Sequence, residues 1–372
     1  MKIGFDAKRA FHNSTGLGNY SRDLITILSS YKENSYYLYN PKPKKVDRLK
    51  LSGNLIERQP ENWLWRTFSS LWRQFFVASQ AKDDGVEIFH GLSGEIPRGL
   101  SNKGIKTVVT IHDLIFITHP KLYSFFDRKI HFNKHKYAVN HSDKVIAISE
   151  QTKRDIVSFL KVDPSKIEVV YQSCHHIFKS FKPESMLKKV VEKYSLPSEF
   201  VLNVSTIEKR KNQLSIIKAF KDVDSHLVIV GKKGDAYAEI KSYIDQNDIK
   251  NKITFLEGIT LEELACIYQL ATIFAFPSFY EGFGIPIIEA MYLKTPVIIS
   301  KGGVFTEVGG PDAIYVDNTS VEDLKKQIEL LLSDEVLRTQ IAEKGYQFVQ
   351  KFNDKDIAES FNRIYLELKE ER

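Results

Sequence analysis

Short apolar runs alternate along the chain with longer stretches in which apolar positions recur every three or four residues, and the whole alternation occurs twice over. The first series predicts strands over residues 3–6, 36–39, 86–90, 106–111, 145–148 and 167–170. The second predicts them over 200–204, 226–230, 253–255, 273–276, 297–300 and 313–316. Runs rich in Val, Ile and Phe without apolar–polar alternation suit parallel strands covered on both faces. Separated by helical patterns, they read as βαβ units, so the fold class is α/β with two doubly wound domains. The stretch 178–183, Phe-Lys-Ser-Phe-Lys-Pro, loses periodicity at a proline and puts the boundary near residue 180. Beyond residue 316 only helical patterns remain, over 321–332, 335–352 and 354–368. The expected division is 1–180, 181–352 and a closing helix within 353–372.

A length of 372 residues exceeds the size at which one core usually stops growing, in keeping with two domains. With 42% hydrophobic and 27% charged residues, the composition is that of a soluble globular chain. Cys174 and Cys266 stand far apart and outside any paired motif, which points away from a disulfide framework and toward a reducing compartment, most simply the cytoplasm. No apolar run reaches the length of a membrane span, and Met1 leads straight into the first strand without a signal-peptide pattern. The net charge of +6 suits anionic lipid or nucleotide phosphate without choosing between them. No nucleic-acid-binding module is visible.

Chemistry concentrates at 278–290, Ser-Phe-Tyr-Glu-Gly-Phe-Gly-Ile-Pro-Ile-Ile-Glu-Ala. A buried strand precedes this block, and Pro286 suits the first turn of a helix, where its missing N–H is harmless. A helix start there turns the amides of Phe283, Gly284 and Ile285 toward an anion, with the positive end of the helix dipole behind them. Glu281 stands before that start and Glu289 one turn inside it. Two solvated acids flanking an ordinary strand–helix turn are the plain alternative; the Gly-Phe-Gly-Ile-Pro between them weighs against it. A glycosidase pair is weaker still, because its carboxyls must flank a glycosidic bond from opposite sides.

This block resembles the Glu-x7-Glu signature of retaining nucleotide-sugar glycosyltransferases of the GT-B class, family four, and the resemblance runs through nearly the whole chain, most strongly over 203–309. It implies two Rossmann-like domains facing a central cleft, the first binding the acceptor and the second the nucleotide sugar, with the last helix packing back on the first domain. It also implies that Glu281 faces the donor sugar and that Glu289 holds the ribose hydroxyls.

Ligands of doubly wound sheets bind beyond the carboxyl ends of the strands, and other groups stand there. Gly16 and Gly18 open a helix after the first strand; they make half a dinucleotide fingerprint, lacking its third glycine at Ser21 and its acid at Asn40, or a plain tight turn. The resemblance makes them a glycine loop whose backbone reaches the donor phosphate. His112 ends the strand at 106–111, where a histidine is commonly structural; the resemblance gives it a contact to the donor sugar. Asp113 reads as a cap for the next turn. Arg210 and Lys211 follow the second domain's first strand and supply a guanidinium fork and a point charge for a diphosphate, with a solvated basic loop as the alternative. Their segment is similar to the family's Glu-Pro-Arg-Lys-Asn, with Lys209 in place of the proline. Asp222 and Asp224 have the spacing of a metal-binding Asp-x-Asp but precede a strand, at the wrong end of the sheet. His175 and His176 beside Cys174 lack the remaining ligands of a metal site.

Over 62–79, Leu64, Trp65, Phe68, Leu71, Trp72, Phe75 and Phe76 fall on one helical face opposite Arg66, Ser69, Ser70 and Arg73. Core packing explains such a stripe. Trp63, Trp65 and Trp72 interleaved with arginine, and Arg128, Lys129, Lys134 and Lys136 in the same domain, also fit peripheral membrane contact.

The expected function is retaining, metal-independent transfer of a sugar from a nucleotide diphosphate, with no cofactor beyond that donor, to a hydroxyl of a lipid-linked or polysaccharide acceptor. The setting is surface polysaccharide or glycolipid synthesis, in the cytoplasm and on the inner face of the plasma membrane. The Arg-Lys-Asn and His-Asp-Leu patterns lean toward the mannosyltransferase-like branch and favour GDP-mannose over a UDP-sugar. Glu281, His112, Arg210 and Lys211 form the expected catalytic set. Gly16, Gly18, Arg210, Lys211, Phe283, Gly284, Ile285 and Glu289 form the donor-binding set. A GT-B nucleotide-sugar epimerase or phosphorylase is the rival enzyme, and an inactive carbohydrate-binding scaffold subunit the rival of another class.

Overall fold

The structure is a computed structural model that describes residues 1–43, 48–51 and 53–371. It divides into two compact units, one made of Met1–Ser173 with Asp354–Arg372 and the other of Cys174–Asn353.

In the first unit, β1 (Lys2–Asp6), β2 (Ser35–Tyr39), β3 (Leu55–Arg58), β4 (Ile88–Gly91), β5 (Lys106–Ile111), β6 (Lys144–Ala147) and β7 (Ile167–Val169) form one sheet in the order β3-β2-β1-β4-β5-β6-β7. Every pairing is parallel. The chain winds outward from β1 and then returns to its other side with β4, so the switch point lies between these two strands. One face is covered by α1 (Gly16–Leu28) and by the C-terminal helix Asp354–Glu370: Leu24, Ile25 and Leu28 pack with Ile3, Phe5, Phe361, Tyr365 and Leu368. The other face buries Trp72, Val77, Ala81, Phe89 and Val109. The long helix α2 (Phe125–His141) starts at Ser124, whose hydroxyl accepts the Asp127 amide at 3.1 Å.

Strand β3 has no counterpart in the sequence expectation. It is an edge strand in which Leu55 alone is buried, so its two apolar residues are too few to form a run.

The segment from 62 to 79 also departs from the expected single helix. It breaks into Trp63–Thr67, Ser69–Leu71, a wide π-type turn at Trp72–Phe76 and Val77–Asp83. Breaks and a π turn change the angle per residue, so a uniform helical wheel assigns the faces wrongly. Trp72 is 2% exposed and packs in the cluster with Val86 and Phe89, and Ser69 is buried. Arg73, expected outside, turns in toward Asp6. Leu64, Phe68, Leu71, Phe75 and Phe76, expected to share one face with Trp65 and Trp72, stay exposed, while Trp65 is partly buried against that cluster.

In the second unit, β8 (Phe200–Val204), β9 (His226–Val230), β10 (Ile253–Leu256), β11 (Ile273–Phe276), β12 (Val297–Ser300) and β13 (Ile314–Val316) pair in the order β10-β9-β8-β11-β12-β13, again all parallel. The switch point falls between β8 and β11, whose carboxyl ends lead to α3 (Gln213–Ala219) and α4 (Ile285–Tyr292). The unit begins at Cys174, ahead of the proline that marks the sequence boundary, because Phe178 is buried edge-on against Tyr268 at 5.8 Å.

Candidate functional site

Beyond β8 the chain makes a short turn, Lys209–Lys211, and stops at Asn212 in the left-handed region, φ 58° and ψ 30°. Asparagine tolerates that conformation better than most side chains. Its amide nitrogen donates to the carbonyls of Pro277 (3.1 Å) and Asn318 (2.7 Å), tying this loop to those that leave β11 and β13. The Phe279 amide donates to the Arg210 carbonyl at 2.9 Å, and Arg210 Nη1 donates to the Tyr280 carbonyl at 2.8 Å. Two loops remote in sequence are thus laid side by side.

Glu281 is the result of that alignment. Lys211 Nζ meets Glu281 Oε1 at 2.6 Å and Arg210 Nη1 meets Oε2 at 3.1 Å, with the Glu281 and Lys211 side chains 10% and 14% exposed. Lys211 also lies 5.2 Å from the centroid of the Phe276 ring. Burial opposes the charge on Glu281, but the attraction of Lys211 and then of Arg210 outweighs it and holds the carboxyl below its ordinary value. Burial also lowers the Lys211 ammonium, and Glu281 is its chief counterweight. Buried charges clustered just past a switch point mark a binding site more often than a stabilising device, since desolvation cancels much of their attraction.

Three residues after Glu281, α4 opens at Gly284, with φ 112° and ψ 50°. A side chain there would be strained, and its Cβ would stand 3.0 Å from Ile287 Cδ1. Pro286 follows in the first turn, and the leading amides of the helix, Ile285 among them, have no carbonyl partner within it. The Phe283 side chain is not available to a ligand: it is buried edge-on against Phe352 at 5.5 Å. Glu289 sits on α4 and accepts the Tyr268 hydroxyl at 2.8 Å. Burial, then the negative charge of Glu289, keeps that phenol protonated far above its usual range.

The remaining expected residues lie in the first unit. His112 follows β5, and its Nε2 donates to the Leu92 carbonyl at 2.9 Å. A carbonyl only accepts, so in the neutral ring Nδ1 carries the lone pair. Burial holds His112 below its ordinary pKa against the opposing pull of the Leu92 carbonyl and Asp113. The Tyr20 ring stands edge-on to it at 4.5 Å, and a buried chain continues from the Tyr20 hydroxyl to Thr110 (3.2 Å), His90 (2.8 Å) and Tyr365 (2.7 Å). Asp113 accepts the Ile115 amide at 3.1 Å, the capping role expected of it. Gly16 is exposed with open space around it, whereas a Cβ on Gly18 would fall 1.9 Å from the Asn13 carbonyl oxygen. The turn itself therefore demands glycine at 18. Arg22 closes that turn by donating to Asn13 O at 2.7 Å and Ala10 O at 2.9 Å.

Sequence reasoning assigned no role to Asn212 or Tyr268, which fix the loop and the Glu289 carboxylate. The polar residue ending a cationic turn just before a helix was the available signal for Asn212; nothing local marks Tyr268. Among the described residues no group of three or more His, Cys, Asp or Glu gathers as a metal site.

The family model for Glycosyl transferases group 1 matches residues 188–348, and that for Glycosyltransferase Family 4 matches residues 22–173. O-antigen chain mannosyltransferase B of Escherichia coli is 26% identical over 377 residues, covering 95% of this chain and 96% of that protein. O-antigen chain mannosyltransferase RfbU of Salmonella typhimurium is 34% identical over 229 residues, 60% of this chain and 61% of its own length. Among solved structures, sucrose-phosphate synthase from Thermosynechococcus elongatus superposes with a TM-score of 0.80 at 21% identity, over 100% of both chains. Anabaena HepE in complex with UDP-glucose superposes with a TM-score of 0.76 at 17% identity, over 99% of this chain and 100% of that one.

Proposed function

The chain belongs to the group 1 glycosyl transferases, and from that premise we propose that it transfers mannose from a nucleotide diphosphate to an acceptor hydroxyl in surface-polysaccharide or glycolipid synthesis. The carrying observation is the buried Lys211–Glu281–Arg210 cluster beside the start of α4. A departing diphosphate needs positive charge held in place before the bond breaks, and two cations with a helix N-terminus supply it without a divalent metal. Glu289 takes the ribose hydroxyls and Glu281 the donor sugar. The neutral His112 offers Nδ1 to a sugar hydroxyl. Transfer proceeds with retention, the leaving phosphate oxygen taking the acceptor's proton, since no side chain in the cluster is set up as a general base. The mannosyltransferase relatives favour GDP-mannose; the UDP-glucose complex of HepE keeps a UDP-sugar as second choice.

No helix among the described residues is long and apolar enough to cross a membrane. The proposal includes contact with an anionic membrane surface on the cytoplasmic side, through exposed Trp63, Phe75, Phe125 and Phe126 with Arg128, Lys129 and Lys136 nearby in sequence.

The test is release of nucleotide from a panel of nucleotide sugars with a membrane-lipid acceptor fraction, with and without EDTA. Acceptor-dependent release of GDP from GDP-mannose, unaffected by chelator, and an anomeric configuration retained by NMR are expected. Acceptor-independent turnover would favour the epimerase, dependence on inorganic phosphate the phosphorylase, and no turnover with any donor the inactive scaffold.

A further inference from the structure

At the carboxyl ends of β1 and β4, the switch point of the first unit's sheet, lies a cavity of about 80 Å³ lined by Asp6, Arg73, Glu95, Arg98, Lys134 and Tyr137 among others. A switch point is where doubly wound sheets take ligands, and the cavity has room for several waters or one compact polar group. Its floor is a closed ion network. Arg73 Nε donates to Asp6 Oδ1 (3.0 Å) and Oδ2 (2.7 Å), Arg73 Nη1 meets Glu95 Oε2 at 2.7 Å, and Lys134 Nζ meets Glu95 Oε1 at 3.1 Å. Burial works against the charge on Glu95, but Arg73 and then Lys134 hold its carboxyl at about 2.

These two carboxylates are spent on Arg73 and Lys134. Arg98 is the surplus cation: among the described residues no carboxylate stands within ion-pair distance of it. Its guanidinium is held instead 4.8 Å from the Tyr137 ring centroid and 5.9 Å from that of Phe75. The Arg98 amide donates to the Gln74 carbonyl at 2.8 Å, which fixes the loop against the π-type turn. Lys8 adds further positive charge, close enough for Arg73, Glu95 and Asp6 to act on it. The pocket therefore calls for an anion.

What surrounds the pocket is apolar and exposed. Phe75 is exposed beside Arg98, and α2, which contributes Lys134 and Tyr137, begins with the exposed Phe125 and Phe126. At 1.5 Å per residue, Phe126 lies about 12 Å along the helix from Lys134. An anion seated at Arg98 with an apolar chain attached would find aromatic surface on the way out.

We propose that this cavity binds the phosphate of a lipid-linked acceptor, with Arg98 on the phosphate and Phe75, Phe125 and Phe126 against the lipid. The word acceptor rests on the transferase reading; the binding itself does not. The experiment is calorimetry of the full chain, without donor, with farnesyl phosphate below its micelle concentration, inorganic phosphate and farnesol. Farnesyl phosphate is expected to bind at least about tenfold more tightly than either control, Arg98→Gln to weaken it by about tenfold, Arg98→Lys to keep most of it, and Lys211→Ala to leave it unchanged. Loss in Lys211→Ala with Arg98→Gln unaffected would move the phosphate to the nucleotide site and overturn the proposal. Equal binding of inorganic phosphate would overturn its lipid half, and no binding of farnesyl phosphate would overturn all of it. A protein that binds the probe as expected yet transfers no sugar refutes the proposed function and leaves this site standing.

Discussion

Lys211 Nζ stands 2.6 Å from Glu281 Oε1, so a carboxylate already occupies the cation that the proposed function assigns to a diphosphate. Under the proposed function, donor binding would be an exchange of anions: the phosphates would replace Glu281 at Lys211 and Arg210, and the carboxylate would be released toward the sugar.

Glu281→Gln removes the resident anion and leaves Lys211 buried without its main partner, at a cost of roughly 3–5 kcal/mol. GDP then restores a negative charge at that point. The variant should melt lower than wild type, gain more from saturating GDP, and turn over far more slowly. Equal GDP-induced stabilisation in the two proteins would refute the exchange.

Lys211 and Glu289 should separate by ligand. Lys211→Ala is expected to weaken both pyrophosphate and GDP by about 1.5–3 kcal/mol, the scale of a charge-assisted contact. Glu289→Ala should weaken GDP alone if its contact is to the ribose, as the proposed function has it. Calorimetry with the two ligands decides the matter; a parallel loss of pyrophosphate in Glu289→Ala would reject the ribose assignment.

Acid should destabilise the first unit before carboxylates begin to protonate. Burial, then the nearby His112, lowers His90 to about 3, and burial lowers His112 and His135 as well. These folded-state values lie below the unfolded value of about 6.5, so the unfolded chain binds more protons and stability falls as pH drops from about 6.5 toward the folded values. Glu95, at about 2 in the folded protein, acts only below about pH 4.5. The unfolding free energy from urea titrations should decline by up to about 1.4 kcal/mol per pH unit below pH 6.5 on account of His90, with His112 and His135 adding in the same direction, and His90→Gln should flatten the slope by the His90 share. An unaltered slope would mean His90 does not stay neutral.

Two tryptophans distinguish core from surface. Trp72→Ser should cost roughly 3–5 kcal/mol, as large-to-small aromatic changes in a core do. Trp63, at 76% exposure, should tolerate serine within about 0.5 kcal/mol while sedimentation with anionic liposomes falls. Undiminished sedimentation would take Trp63 out of the membrane contact.

The parallel strands were legible because buried strands read as unbroken apolar runs; edge strand β3, half polar and with two apolar residues, gave no such run. The 278–290 block located Glu281 and Glu289, since a glycine and a proline at a helix start leave a local mark. Contacts between loops remote in sequence left none. The 2.7 Å hold of Asn212 on Asn318, the Tyr268–Glu289 hydrogen bond and the Arg73 bridge from Asp6 to Glu95 depend on strand order, which determines the loops that become neighbours. The π-type turn at Trp72–Phe76 misled the helical wheel for the same reason: a local change of period is invisible to a pattern that assumes a constant one.

The helix Asp354–Glu370 supplies Phe361, Ile364, Tyr365 and Leu368 to the core that also holds Phe5 and Leu24, and Tyr365 is the partner of His90 Nδ1. A ribosome therefore delivers the first unit in two instalments, with the whole second unit made in between. Until the final turns emerge, the nascent first unit carries an uncovered apolar face and a histidine that has Thr110 but not yet Tyr365 as a partner, a state that calls for chaperone shelter. Residues 1–173 expressed alone should aggregate, and a fragment joining them by a short linker to 354–371 should fold.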